Sequence, residues 1–209
     1  LQEEAPGLDI TMDTGQRYMD YIAHSAEGGP SSKRGYEIRD SVFRALFDPS
    51  RAESLLFKDP KALSTVFPGE EYTFYYSIIN AGDIAQCLDG NYFDLFSEMT
   101  LDETYAFWAA NGISSVNNMG RTLENGGYRA RVVGGPILRD ILDKAQEAID
   151  GGEVCGDFRF GHDSGILPFL FLIRLNGFDE VYSAAEVPER FLTFQELPMA
   201  ANFQFVFFR

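Results

Sequence analysis

The sequence predicts an α/β protein with a large helical portion. Three observations lead there. Apolar residues recur at helical spacing through roughly the first 125 residues. The period then changes after Gly151-Gly152. Beyond that point only two short segments, Cys155 to Phe160 and Phe203 to Phe208, carry strand chemistry. Two strands do not make an independently stable sheet, since roughly three or more strands or other packing are needed. The sheet implied by these segments therefore requires strands from outside this chain.

The helical elements follow in order. Thr14 to about Ala26 carries Tyr18, Met19 and Ile22 on one stripe and stops at Gly28-Gly29-Pro30. Ser32 to Phe47 repeats the pattern with Tyr36, Val42, Phe43, Leu46 and Phe47, and Asp48-Pro49 ends it. Short pieces fit Arg51 to Phe57 and Pro60 to Val66. Glu71 to Leu88 is rich in Tyr, Phe and Ile, residues that also favour strands; its length selects a buried helix. Leu101 to Ala110 is helical, with Asp102 and Glu103 near the positive N-terminus, and Asn117 to Gly127 reads as an irregular connection. Ala130 to Ile149 is helical again, with Pro136 expected in its first turn and Gly151-Gly152 as its close. Ser164 to Leu175 is a last helix ending at Asn176-Gly177. There is no internal repeat and no low-complexity segment.

With 209 residues and 45% hydrophobic content the chain can bury a sizeable core. Its formal net charge of -15 argues against nucleic acid or an anionic membrane surface as partners. A small anion is still admissible, because a local cluster of donors outweighs a distant field screened over about 8 Å. No apolar run approaches the ~20 residues that span a bilayer, and Leu1 to Asp9 is acidic, unlike a signal peptide. Cys87 and Cys155 have no metal-ligand spacing, and a disulfide between them is left open. Neither zinc spacing, a nucleotide-type glycine loop nor a Ser-His-Asp order is present.

The string Asp157-Phe158-Arg159-Phe160-Gly161-His162-Asp163-Ser164-Gly165-Ile166-Leu167-Pro168 is the most informative. If Phe158 and Phe160 lie in a buried strand, His162 and Asp163 emerge at its C-terminal end, where open α/β sheets place ligand crevices. Ser164 and Gly165 would then open a helix whose free N–H groups favour a phosphate. Taken alone, the dipeptide reads more readily as Asp163 capping that helix and His162 bonding locally.

Its neighbours change that balance. Arg159-Phe160-Gly161-His162-Asp163 with the apolar helix Ile166 to Leu175 resembles the C-terminal motif of the two-motif histidine acid phosphatases. Leu197 to Phe207 resembles the closing strand of that branch's inositol-polyphosphate phosphatases and phytases. Leu101 to Gly120, with Trp108, and Gly135 to Leu142 look like further matching stretches. Agreement spreads over most of residues 101 to 209 and is vaguer over 1 to 100.

The resemblance implies part of a histidine-phosphatase-like fold, an α/β sheet domain with an α-helical cap, whose N-terminal strands are missing here. Residues 1–27 would be a helix of the α/β core, 28–127 the cap, and 128–209 the C-terminal part of the core. It implies hydrolysis of phosphomonoesters such as phytate through a phosphohistidine, with no cofactor and no metal. Asp163 would be the general acid that protonates the leaving alkoxide, and His162 would bind phosphate and stabilise transition-state charge. Ser164, at the helix N-terminus, and Arg131 would contact substrate phosphate, although a solvated or structural Arg131 is the commoner case. The family's nucleophile lies in an Arg-His-Gly motif, and neither His24 nor His162 is in one. The expected partner is therefore the missing N-terminal half of the same enzyme, and the chain alone should be inactive. Members of this kind are periplasmic or secreted. Animal inositol-polyphosphate phosphatases commonly carry His-Ala-Glu where this chain has His162-Asp163-Ser164, like phytases with His-Asp. Two other readings stand beside it: a non-catalytic phosphate-ester-binding or interaction module, and one polypeptide of a nicked two-chain phosphatase. His24 and Lys33-Arg34 read as packing or surface residues.

Overall fold

The computed structural model describes residues 32–59, 61–89, 95–152, 156–175, 177–198 and 200–206, together with positions 3, 7 and 9. Among them the structure is predominantly helical and contains no strand; one isolated parallel bridge joins Thr122 to Tyr182. The expected Thr14 to Ala26 helix, His24 and Cys155 lie outside the described residues.

Helix α1, Lys33–Leu46, starts where Ser32 accepts a hydrogen bond from the Gly35 N–H, and it ends before Asp48-Pro49 as the sequence indicates. Asp48 caps α2, Pro49–Leu56, through the Ser50 N–H, with Pro49 at the first helical position where its missing N–H costs nothing. Short α3, Ala62–Val66, leads to α4, Glu71–Asp89, so length identified this Tyr- and Phe-rich stretch correctly as helix. After α5, Leu95–Glu98, comes α6, Leu101–Met119. Thr100 and Glu103 form a capping box at its start, and Arg51 braces it by binding both Glu103 oxygens, at 3.0 and 2.6 Å.

α6 runs nine residues beyond the expected Ala110 because tertiary packing overrides the polar signal of Asn117 and Asn118. Asn117 is fully buried and donates to the Ser32 carbonyl at 3.1 Å, tying α6 to the start of α1. Gly35 makes room: a Cβ there would sit 2.2 Å from Asn117 Oδ1. The irregular connection shrinks to residues 120–127 and is organised by one side chain. Asn125 donates to the Val116, Asn117 and Gly120 carbonyls and accepts from the Thr122 and Gly127 N–H groups. Gly127, at φ 69°, then turns the chain into α7, Tyr128–Ile149.

Pro136 is not in a first turn, because α7 begins eight residues before it; it is interior to the helix, and α8, Asp163–Ile173, carries its own interior Pro168. Gly134 lets the two backbones touch, since a Cβ there would meet the Pro168 carbonyl oxygen at 2.8 Å. A 3-10 turn, Ala184–Glu186, and the short helices α9, Val187–Arg190, and α10, Thr193–Glu196, follow.

Both strand expectations are corrected over their described residues. Residues 156–160 form no strand, and Phe158 and Phe160 are 76% and 80% exposed rather than buried. Residues 203–206 form none either; Phe203 and Phe205 lie edge-on against Phe169 of α8. Period-two aromatic chemistry marks a segment able to pair, and pairing needs a neighbouring backbone.

Among the described residues two apolar clusters form the interior. One gathers Phe43, Phe47, Tyr72, Tyr75, Leu95 and Phe107 from α1, α4, α5 and α6. The other joins Ile113 and Val116 of α6 to Leu167, Phe169 and Phe171 of α8 and to Phe178, Val187 and Phe191.

Candidate functional site

The Arg159 to Ser164 string sits where an irregular segment enters α8. His162 is the N-cap, in extended conformation at φ -101° and ψ 165°, and its side chain makes no capping hydrogen bond. Asp163 is the first helical residue, and its Oδ1 accepts from the Ser164 N–H at 2.7 Å. The sequence thus located the helix start to within one residue, and the local capping role for Asp163 is present in altered form, from inside the first turn. Both side chains are exposed, Ser164 is half-buried, and Gly165 behind them is buried. Its N–H bonds the His162 carbonyl at 3.0 Å, which fixes the turn. Pro168 has no N–H to give to the Ser164 carbonyl four residues before it. The first turn of α8 therefore presents an imidazole and a carboxylate to solvent, beside the helix's positive end.

A strand does not deliver this pair. The preceding segment is attached through Arg159, whose side chain is mostly buried. Its guanidinium binds Asp140 of α7 and Asp157 of its own segment, the latter at 2.9 Å. Nearby on α7, the Lys144 ammonium has its pKa raised, first by a hydrogen bond to Glu147 and then by the field of Glu147, Asp157 and Asp140. The sequence string contains Arg159 and Asp157, but no spacing rule points to Asp140; only the packing of α7 beside α8 brings it in.

Arg131 stands apart in its bonding. It is exposed on the first turn of α7, and its Nη1 donates to the Gly126 carbonyl at 2.9 Å, a local link across the 120–127 turn. A cleft of about 250 Å³ lies in the other half of the protein, lined by Phe43, Arg44, Phe47, Pro49 and Glu71. An Arg44–Glu71 pair at 3.5 Å stands among those residues. Neither His162 nor Asp163 lines it.

Among the described residues no group of three or more His, Cys, Asp or Glu is placed to hold a metal ion, and no helix is long and apolar enough to cross a membrane. No family model, curated protein or solved structure matches the chain.

Proposed function

We propose that the chain carries the acid-donating half of a histidine acid phosphatase site acting on phosphomonoesters, inositol polyphosphates such as phytate being the preferred class. The observation that supports this reading is the solvent-facing His162-Asp163 pair at the N-terminus of α8. In this reading the imidazole of His162 donates to the bound phosphoryl group and offsets the charge spread over its oxygens as the bond to the leaving group breaks. Asp163 protonates the leaving alkoxide and then accepts the proton of the water that releases phosphate. Ser164 adds its hydroxyl at the helix end, its N–H being held by Asp163 Oδ1, and Arg131 is the weakest member of the set. The nucleophilic histidine comes from a polypeptide segment outside these 209 residues, because neither His24 nor His162 follows an Arg or precedes a Gly as the family's motif requires.

Two assays test the reading. The purified chain should not hydrolyse phytate; hydrolysis with no second polypeptide present would show that another nucleophile operates. In a protein where the chain is joined to an Arg-His-Gly segment, Asp163→Asn should slow turnover of alkyl phosphates by about 10²- to 10⁴-fold. Unchanged turnover removes Asp163 from the role of acid.

A second reading, a phosphate-ester-binding module without catalysis, is favoured by the two apolar clusters, which the described helices assemble without a strand. Cooperative unfolding of the isolated chain together with phosphate binding supports it. Aggregation of the isolated chain through exposed apolar surface opposes it.

A further inference from the structure

We propose that Asp140 is a positioning residue for the His162-Asp163 turn, acting through Arg159. Residues 156–161 must present His162 in a fixed direction, yet they have no helix or strand to stiffen them. They do not anchor themselves by burying their rings either, since Phe158 and Phe160 are 76% and 80% exposed. Between those two rings, Arg159 points the other way and is only 24% exposed along its side chain. It meets Asp140 through Nη2 and Asp157 through Nε.

These two carboxylates have different consequences. Asp157 lies two residues away on the same segment, so its bond to Arg159 shapes the segment without locating it. Asp140 lies on α7, which is locked to α8 where Gly134 meets Pro168 and Phe169. The Asp140–Arg159 pair therefore links the segment before His162 to the same rigid helix pair that carries Asp163 after it. Arg is the residue type suited to this, because a planar fork can satisfy two carboxylates at once and a lysine ammonium cannot set direction in the same way. His162 is thereby constrained from both sides: three residues upstream by the ion pair, and one residue downstream by helix geometry.

The inference rests on the phosphatase reading only for the purpose of the positioning, and the experiment separates the two. Backbone heteronuclear relaxation is measured on the isotopically labelled 209-residue chain, as wild type, Asp140→Asn and Asp140→Glu, without and with inorganic phosphate. In the wild type, residues 157–162 should be nearly as ordered as α7. Asp140→Asn should lower order in 157–162 alone, leave the shifts of Ala130 and Phe169 in place, and weaken the phosphate response of the His162, Ser164 and Gly165 amides about threefold to tenfold. Asp140→Glu, which keeps the charge, should restore most of both. Order in 157–162 that is the same in wild type and Asp140→Asn overturns the proposal, as does a loss that Asp140→Glu fails to recover. A segment that loosens and recovers as expected, with no phosphate response even in the wild type, supports the positioning; the phosphatase reading then stands or falls on the Asp163→Asn turnover measured in the protein joined to an Arg-His-Gly segment.

Discussion

Two buried helical glycines should respond to the same substitution with opposite signs. Replacing glycine by alanine inside a helix is worth about 1 kcal/mol in backbone propensity. Gly112 in α6 can take that gain: its new Cβ would meet the Phe191 carbonyl oxygen and Val187 Cγ1 at 3.7 Å, an ordinary contact distance. Gly112→Ala should therefore stabilise the protein by about 1 kcal/mol. Gly134 in α7 cannot. Its Cβ would lie 2.8 Å from the Pro168 carbonyl oxygen and 3.0 Å from Phe169 Cα, both backbone atoms of α8 that no rotamer change can move aside. The helices must separate by several tenths of an ångström along their shared seam, which costs on the order of 2–3 kcal/mol in lost packing. Set against the propensity gain, the net loss is about 1–2 kcal/mol. Urea and thermal denaturation followed by far-ultraviolet circular dichroism would read both. At about 2–4 °C per kcal/mol for a chain of this size, Gly112→Ala should rise by about that amount, and Gly134→Ala should fall by roughly 2–8 °C. A Gly134→Ala protein as stable as Gly112→Ala would refute the close backbone crossing of α7 and α8, and with it the frame that orients His162 and Asp163.

Acidification should weaken the fold through Glu103 and Glu124. The Arg51 hydrogen bond, helped by Thr100, holds Glu103 below the ordinary glutamate value of 4.5 against the effect of burial. Burial pulls Glu124 upward, but the Ala184 N–H and the Ser183 hydroxyl more than offset it. A carboxylate with a lowered folded pKa contributes stability above its unfolded pKa and loses it as the pH falls through the folded one. The stability gap between wild type and Glu103→Gln should thus be full at pH 7 and close on titration downward from about pH 4.5, as melting curves across that range would register. Arg174 ends α8 in the left-handed region at φ 53°, with the Leu175 N–H reaching back to the Leu170 carbonyl. Arg174→Gly should relieve that conformation and raise stability by about 0.5–1 kcal/mol in a urea titration.

The helices were legible where local signals and packing agreed. Asp48-Pro49 stops one helix, and Asp102 and Glu103 mark the start of α6 at Leu101, both through signals carried by residues close in sequence. Legibility failed where a distant partner decided the outcome. Asn117 reads as a helix breaker until the Ser32 carbonyl is seen beside it. Pro136 reads as a start signal, but the Asn125-centred turn has already launched the helix at Tyr128. The Phe158 and Phe160 alternation announces a strand, and exposure of both rings shows that alternation records an ability to pair and does not supply the partner. At the candidate site the start of α8 could be read from sequence, because Gly165 and the apolar run after it fix the helix. The Asp140–Arg159 link could not, since it joins residues 19 apart on two elements whose contact is a product of folding.

Helix α6 belongs to both interiors at once. Its first half gives Ala106, Phe107 and Ala110 to the cluster around Tyr75, and its second half gives Ile113 and Val116 to the cluster around Phe171. α1 does the same on a smaller scale, with Phe43 and Phe47 in one and Ile38 and Val42 packed against the other. A structural beam shared in this way makes the two ends mechanically interdependent. Neither cluster can come apart without stripping cover from a helix the other still needs. Damage at the Tyr75 end, far along the chain from His162, is therefore transmitted to the helices that carry the His162-Asp163 turn.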